Sequence, residues 1–137
     1  MSSTLHSETL NYVAYEPGVC NIGPAEIARR RRVGHVGLIA SIVVLAVLVI
    51  IGAPAWTRLI LALTAGGSAS GYLQAWFHFC AGFGSKGVYN FGAVGSVESV
   101  ADADARSRDR RRSMEIGVAS VAIGLVVAIV AVLLPIR

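Results

Sequence analysis

The sequence predicts an all-α integral membrane protein with three transmembrane helices, basic helical stems and a glycine-rich cytoplasmic loop. Three observations lead there. Apolar residues make up 55% of the 137 residues, and the mean hydropathy is +0.66. Soluble domains carry roughly 45–50% apolar residues. The excess is gathered in three blocks without Asp, Glu, Lys or Arg: Val36–Ala53, Leu59–Phe79 and Ile116–Ile136. Each block has about the 18–21 residues that an α-helix needs to cross roughly 30 Å of hydrocarbon. The first and third show no polar stripe at helical period, unlike the helices of a soluble core.

Taken in order, residues 1–23 form a polar tail with no basic start and apolar run of the kind a cleaved signal peptide has. Residues 24–137 form one membrane domain. Residues 1–19 read as extended or disordered, and Tyr12 and Tyr15 within them are expected to do nothing in the isolated protein. Asn21-Ile22-Gly23-Pro24 is a turn. Pro24 suits the first helical position, where a missing N–H costs nothing. Glu26 lies near the positive end of the helix dipole. One helix is therefore expected from about Pro24 to Gly52, with a basic stem and a transmembrane part at about 33–53.

Gly52-Ala53-Pro54-Ala55 turns the chain, and the shortness of this link makes the first two helices an antiparallel hairpin. The second span is expected at about 57–79. Trp56 sits at one membrane interface and Trp76, Phe77 and Phe79 at the other, where aromatic belts form. The loop 80–113 opens with CAGFGSKGVYNFGAVG. That stretch is too rich in glycine for a stable helix and too apolar for a free linker, so it reads as a re-entrant or interface-hugging segment. Helix resumes from about Ser96, with Ser96 or Ser99 as cap. Asp102 with Arg106 and Asp104 with Arg108 are acid-before-base pairs at i, i+4, worth about 0.2–0.5 kcal/mol each. This stem leads into the third span at about 114–136. Asn21-Ile22-Gly23 and Asn90-Phe91-Gly92 echo each other, too briefly to define a repeat.

Charge sets the orientation. Of the 12 Lys and Arg residues, ten flank one side of the three spans and only Arg58 and Arg137 lie on the other. The ten are Arg29, Arg30, Arg31, Arg32, Lys86, Arg106, Arg108, Arg110, Arg111 and Arg112. The positive-inside rule then places the N-terminus and the long loop in the cytoplasm and the C-terminus outside a bacterial-type inner membrane. Arg29–Arg32, Lys86 and Arg110–Arg112 are expected to touch anionic lipid headgroups or a partner, at about 1 kcal/mol per charge near the surface. No nucleic-acid module accompanies them.

Helices associate in lipid through close approach at small residues. Gly37 and Ser41 on the first helix, Gly67 and Gly71 on the second, and Ser120, Gly124 and Ala128 on the third form such stripes. A compact three-helix bundle follows, unless some stripes meet a larger partner. No ionised residue lies at mid-membrane, where pumps and proton-coupled transporters keep one.

Chemical sites are few. Cys20, His78 and Cys80 are expected at the cytoplasmic ends of the helices and make a weak metal or thiol site; their spacing matches no finger signature. Gly82-Phe83-Gly84-Ser85-Lys86-Gly87 spells G-x-G-x-x-G but follows a transmembrane helix, whereas the dinucleotide fingerprint follows a strand. No nucleophile and base are paired. The sequence therefore suggests a non-catalytic accessory or structural subunit of a larger membrane complex, respiratory, photosynthetic or transport. The alternative is a Cys/His-dependent metal-binding or thiol redox protein, and a homo-oligomeric channel or a lipid-binding protein is a third reading. The residues name no cofactor.

Overall fold

Helix dominates the computed structural model, which describes residues 14–136. Tyr12 and Arg137 lie outside them. The elements run α1 (Pro24–Ile50), a 3₁₀ helix (Ala55–Ile60), α2 (Leu61–Phe77), α3 (Ala81–Lys86), β1 (Val88–Tyr89), β2 (Glu98–Ser99) and α4 (Ala103–Leu133). Two of the helices, α1 and α4, are long and apolar enough to cross a membrane. Helix α1 starts at Pro24, as its turn and proline require. It ends two residues before Gly52, which takes the left-handed conformation at φ 67°.

Two compact units make up the chain. One comprises Gln74–Glu115 with the described part of Met1–Arg29. The other comprises Arg30–Leu73 with the described part of Ile116–Arg137.

In the Arg30–Leu73 unit, α1 and α2 touch through small residues. An added Cβ on Gly37 would lie 2.8 Å from the Ser68 backbone. One on Gly71 would lie 2.5 Å from the Gly34 nitrogen and 2.7 Å from the Arg30 carbonyl. The Ser68 hydroxyl donates to the Gly34 carbonyl at 2.7 Å and ties the two backbones together. Helix α2 meets α4 in the same way. A Cβ on Gly124 would lie 2.5 Å from the Ala62 carbonyl and 2.9 Å from Gly66. Leu61, Ala128 and Ala131 form the buried core of this unit, with Val44, Leu45 and Ala62 against them. Its outer apolar side chains, among them Val36, Ile39, Ile42, Val118 and Val121, are exposed, as on a lipid-facing surface.

The Gln74–Glu115 unit departs from the local reading in four places. Residues 14–23 are folded, not a tail: the Glu16 and Cys20 backbones pair, and the Tyr15 ring stacks on Tyr89 at 4.7 Å. The glycine-rich run contains a helix, α3, closed by Gly87 at φ 71°. Its glycine is a packing requirement, because a Cβ on Gly84 would collide with the Ser113 hydroxyl and lie 2.8 Å from the Phe79 ring. Helix α4 begins at Ala103, later than Ser96, because Glu98 and Ser99 pair with Tyr89 and Val88. Asp102 then caps it, accepting from the Ala105 nitrogen at 3.0 Å, while Arg106 donates to the Val100 carbonyl and makes no ion pair with Asp102. The Asp104–Arg108 pair forms at 2.8 Å. Finally, Phe79 is fully buried and not at a surface, whereas Trp76 and Phe77 are exposed.

Candidate functional site

The densest polar chemistry lies in the Gln74–Glu115 unit, around two asparagines. Asn21 precedes α1, and Asn90 follows β1. Both are fully buried, as are Glu26 and Asp109. Asn21 reaches the link between α2 and α3 with both ends of its amide. Its Nδ2 donates to the Cys80 carbonyl at 3.1 Å, and its Oδ1 accepts from the Cys80 nitrogen at 2.6 Å. Its own nitrogen donates to the His78 carbonyl, and its carbonyl accepts from the Asn90 nitrogen at 3.0 Å. The Gly23 nitrogen donates back to the Asn90 carbonyl at 2.9 Å. Gly23 has no room for a side chain there, since a Cβ would lie 2.9 Å from Phe91.

The Asn90 amide continues the network. Its Nδ2 donates to Glu26 Oε1 at 3.2 Å and to the Ala93 carbonyl at 2.8 Å, and its Oδ1 accepts from the Gly92 nitrogen. Asp109 on α4 holds the segment before α1 by accepting from the Tyr15 hydroxyl at 2.6 Å and the Gly18 nitrogen at 2.7 Å. Burial, and then the Asp109 carboxylate, push the Tyr15 phenol well above its ordinary range. A buried amide bonded at both ends fixes its neighbours tightly, because losing one partner leaves the other desolvated and unmatched. Asn21 and Asn90 therefore act as pins, and Glu26 and Asp109 as buried acceptors for them and for the chain.

The three residues of the weak metal site are backbone neighbours in this network. Cys20 donates its thiol to the Ile22 carbonyl at 3.7 Å. Burial, with Glu16 adding to it, pushes that thiol up. Cys80 is buried and leads into α3, and His78 is exposed at φ 53°, a left-handed bend where α2 ends. Among the described residues no three His, Cys, Asp or Glu side chains are grouped as a metal ion needs.

Of the basic residues singled out, Arg29, Arg31, Arg32, Lys86, Arg110 and Arg111 are exposed, and Arg30 and Arg112 are half-buried. Arg112 lies over the Phe77 ring at 4.4 Å and reaches Glu115 at 3.2 Å; Arg111 reaches Glu115 at 3.5 Å. Of the small residues, Gly37, Gly71 and Gly124 sit at backbone contacts. Ser120 is buried and Ser41 half-buried, both bonded to their own helix, and Ala128 is in the core. Gly67 is the exception: nothing lies within 4 Å of an added Cβ, and Gly66 is the residue that meets α4.

Sequence reasoning missed both asparagine pins and Arg58. The signal for the pins was on the page in the two Asn-x-Gly triplets. No family model, no curated protein and no solved structure matches this chain. Its function is read from geometry alone.

Proposed function

We propose that this chain is a non-catalytic structural or accessory subunit of a larger membrane assembly. In this reading it crosses a bacterial-type plasma membrane three times, at about 33–53, 57–79 and 114–136. Residues 1–23 and 80–113 face the cytoplasm and the C-terminus faces out. The observation that carries the reading is the use made of buried polar groups. Asn21 and Asp109 are bonded to the backbone of other segments, and Asn90 ties its own loop to the Glu26 carboxylate, the arrangement of a rigid scaffold.

The crossing at about 57–79 draws support from the 3₁₀ helix and α2 together, which follow one another without a break from Ala55 to Phe77. At helical rise this stretch matches a hydrocarbon layer of roughly 30 Å. Arg29, Arg31, Arg32, Lys86, Arg110 and Arg111 stand exposed on the stems and loop, where lipid phosphates or a partner's acidic side chains can pair with them. An apolar groove lined by Ala62, Leu63, Gly66, Gly67, Ser120 and Leu125 leaves a further helix room for close approach to α2 and α4.

Purification from the native membrane in mild detergent, followed by native electrophoresis and mass spectrometry of the bands, tests the proposal. Co-migration with a fixed set of larger subunits is expected. Migration only as the free 14.3 kDa chain in its detergent micelle contradicts it.

A further inference from the structure

In sequence, Arg58 is one of two cations on the side opposite the other ten. In the structure it is 4% exposed. Its Nη1 donates to the carbonyls of Ala131 and Leu134 at 2.9 and 3.0 Å, and its Nη2 donates to the Ile136 carbonyl at 2.6 Å. These acceptors lie at the C-terminal end of α4, where the helix dipole supplies about half a negative charge. The compensation is therefore partial. No carboxylate among the described residues pairs with this guanidinium, and its Nε is buried without an acceptor.

Arg58 also lines a cavity of about 420 Å³. The other walls are apolar: Val49, Ala53, Leu134, Pro135 and Ile136 among them. Cavities of roughly 300–1,000 Å³ hold small organic ligands, and a few placed polar groups set what they accept. Here the placed group is a buried cation whose planar fork matches phosphate oxygens, and it sits beside a surface suited to hydrocarbon.

We propose that Arg58 and this cavity form a binding site for a phosphate ester that carries an apolar body, a membrane phospholipid. Arg58 donates to the phosphate oxygens, and the first carbons of the glycerol ester lie against Ala53, Val49 and Pro135. In the three-span reading this phospholipid belongs to the outer leaflet, but the site itself does not depend on that orientation. The helix-capping bonds of Arg58 hold the side chain at the cavity wall; among the described residues no carboxylate meets its charge, and the phosphate supplies one.

Native mass spectrometry of the delipidated full chain in non-ionic detergent tests this. The probes are dioleoyl phosphatidylglycerol, dioleoylglycerol, which has the same tails without phosphate, and glycerol phosphate, which has the phosphate without tails. Phosphatidylglycerol is expected to bind about tenfold or more tighter than dioleoylglycerol, the effect of one charge-assisted contact. Arg58→Gln removes that difference. Because Arg58→Gln also uncaps α4, Ala53→Leu serves as the second variant: it fills the cavity, leaves Arg58 in place, and is expected to weaken phosphatidylglycerol by a similar factor. Glycerol phosphate binding as tightly as the lipid supports the phosphate site and assigns it to a free ester. Equal binding of phosphatidylglycerol and dioleoylglycerol to the wild type overturns the proposal. So does unchanged phosphatidylglycerol binding in a folded Ala53→Leu chain.

Discussion

Gly71→Ala compared with Gly67→Ala isolates the energy of one helix contact. Both glycines lie on α2, four residues apart, and each substitution gains the same helix propensity, about 1 kcal/mol. They differ only in what the new methyl meets. At Gly71 it lies 2.5 Å from the Gly34 nitrogen, 2.7 Å from the Arg30 carbonyl and 3.0 Å from the Gly34 Cα. All three are backbone atoms, which no rotamer change can move. Ordinary contact needs roughly 3.5 Å, so α1 and α2 must separate locally by about 1 Å. Separation also stretches the Ser68 hydroxyl bond to the Gly34 carbonyl, worth about 1 kcal/mol. Overpacking of this kind costs about 1–3 kcal/mol. At Gly67 the methyl meets nothing within 4 Å. The difference between the two variants is therefore expected at about 2–3 kcal/mol, with Gly67→Ala neutral or stabilising. Reversible unfolding in mixed micelles, followed by helical circular dichroism, reads it. Equal stability of the two variants would refute the packing geometry.

Three more outcomes follow from the polar network. Asn21→Ala takes the Oδ1 acceptor from the buried Cys80 N–H, while the Cys80 carbonyl keeps the Gly84 nitrogen as donor; at about 1–3 kcal/mol for a buried donor that loses its acceptor, amide exchange at Cys80 and Asn90 should rise sharply. Tyr15 carries a phenol pKa raised in the folded protein, so its contribution to stability is present below the unfolded value of about 10 and lost as pH rises through the folded one. An unfolding titration should show that alkaline loss in the wild type and not in Tyr15→Phe. Cys20, with its thiol pushed up by burial, should react slowly with maleimides near neutral pH and faster as pH rises, because the thiolate is the nucleophile. The fully covered Cys80 should react only on unfolding, which mass-resolved labelling will show.

What the residues disclosed, and what they hid, divides along the range of the interactions. Helix α1 was legible from Pro24 and its unbroken apolar run, and the Asp104–Arg108 pair from spacing alone. Both are local. The start of α4 was not, because Glu98 and Ser99 are held by the strand partners Tyr89 and Val88 earlier in the chain, which displaces the cap from Ser96 to Asp102. Helix α3 was hidden by its glycines: Gly84 looks like a breaker, yet the nearby Phe79 ring and Ser113 hydroxyl leave space for nothing larger. Helical spacing did not decide between Gly66 and Gly67, since that choice depends on where Gly124 lies. The burial of Arg58 was not legible, because it depends on the carbonyls of Ala131, Leu134 and Ile136, far away in sequence.

Cysteine labelling of intact cells with a membrane-impermeant maleimide tests the three-crossing topology most directly, using Ala55→Cys and Ala101→Cys placed singly in a Cys20→Ser background. Both positions are exposed. The account predicts that Ala55→Cys labels in intact cells and that Ala101→Cys labels only after permeabilisation. Labelling of both from outside would mean that the stretch from Ala55 to Phe77 does not cross the bilayer, and would contradict it.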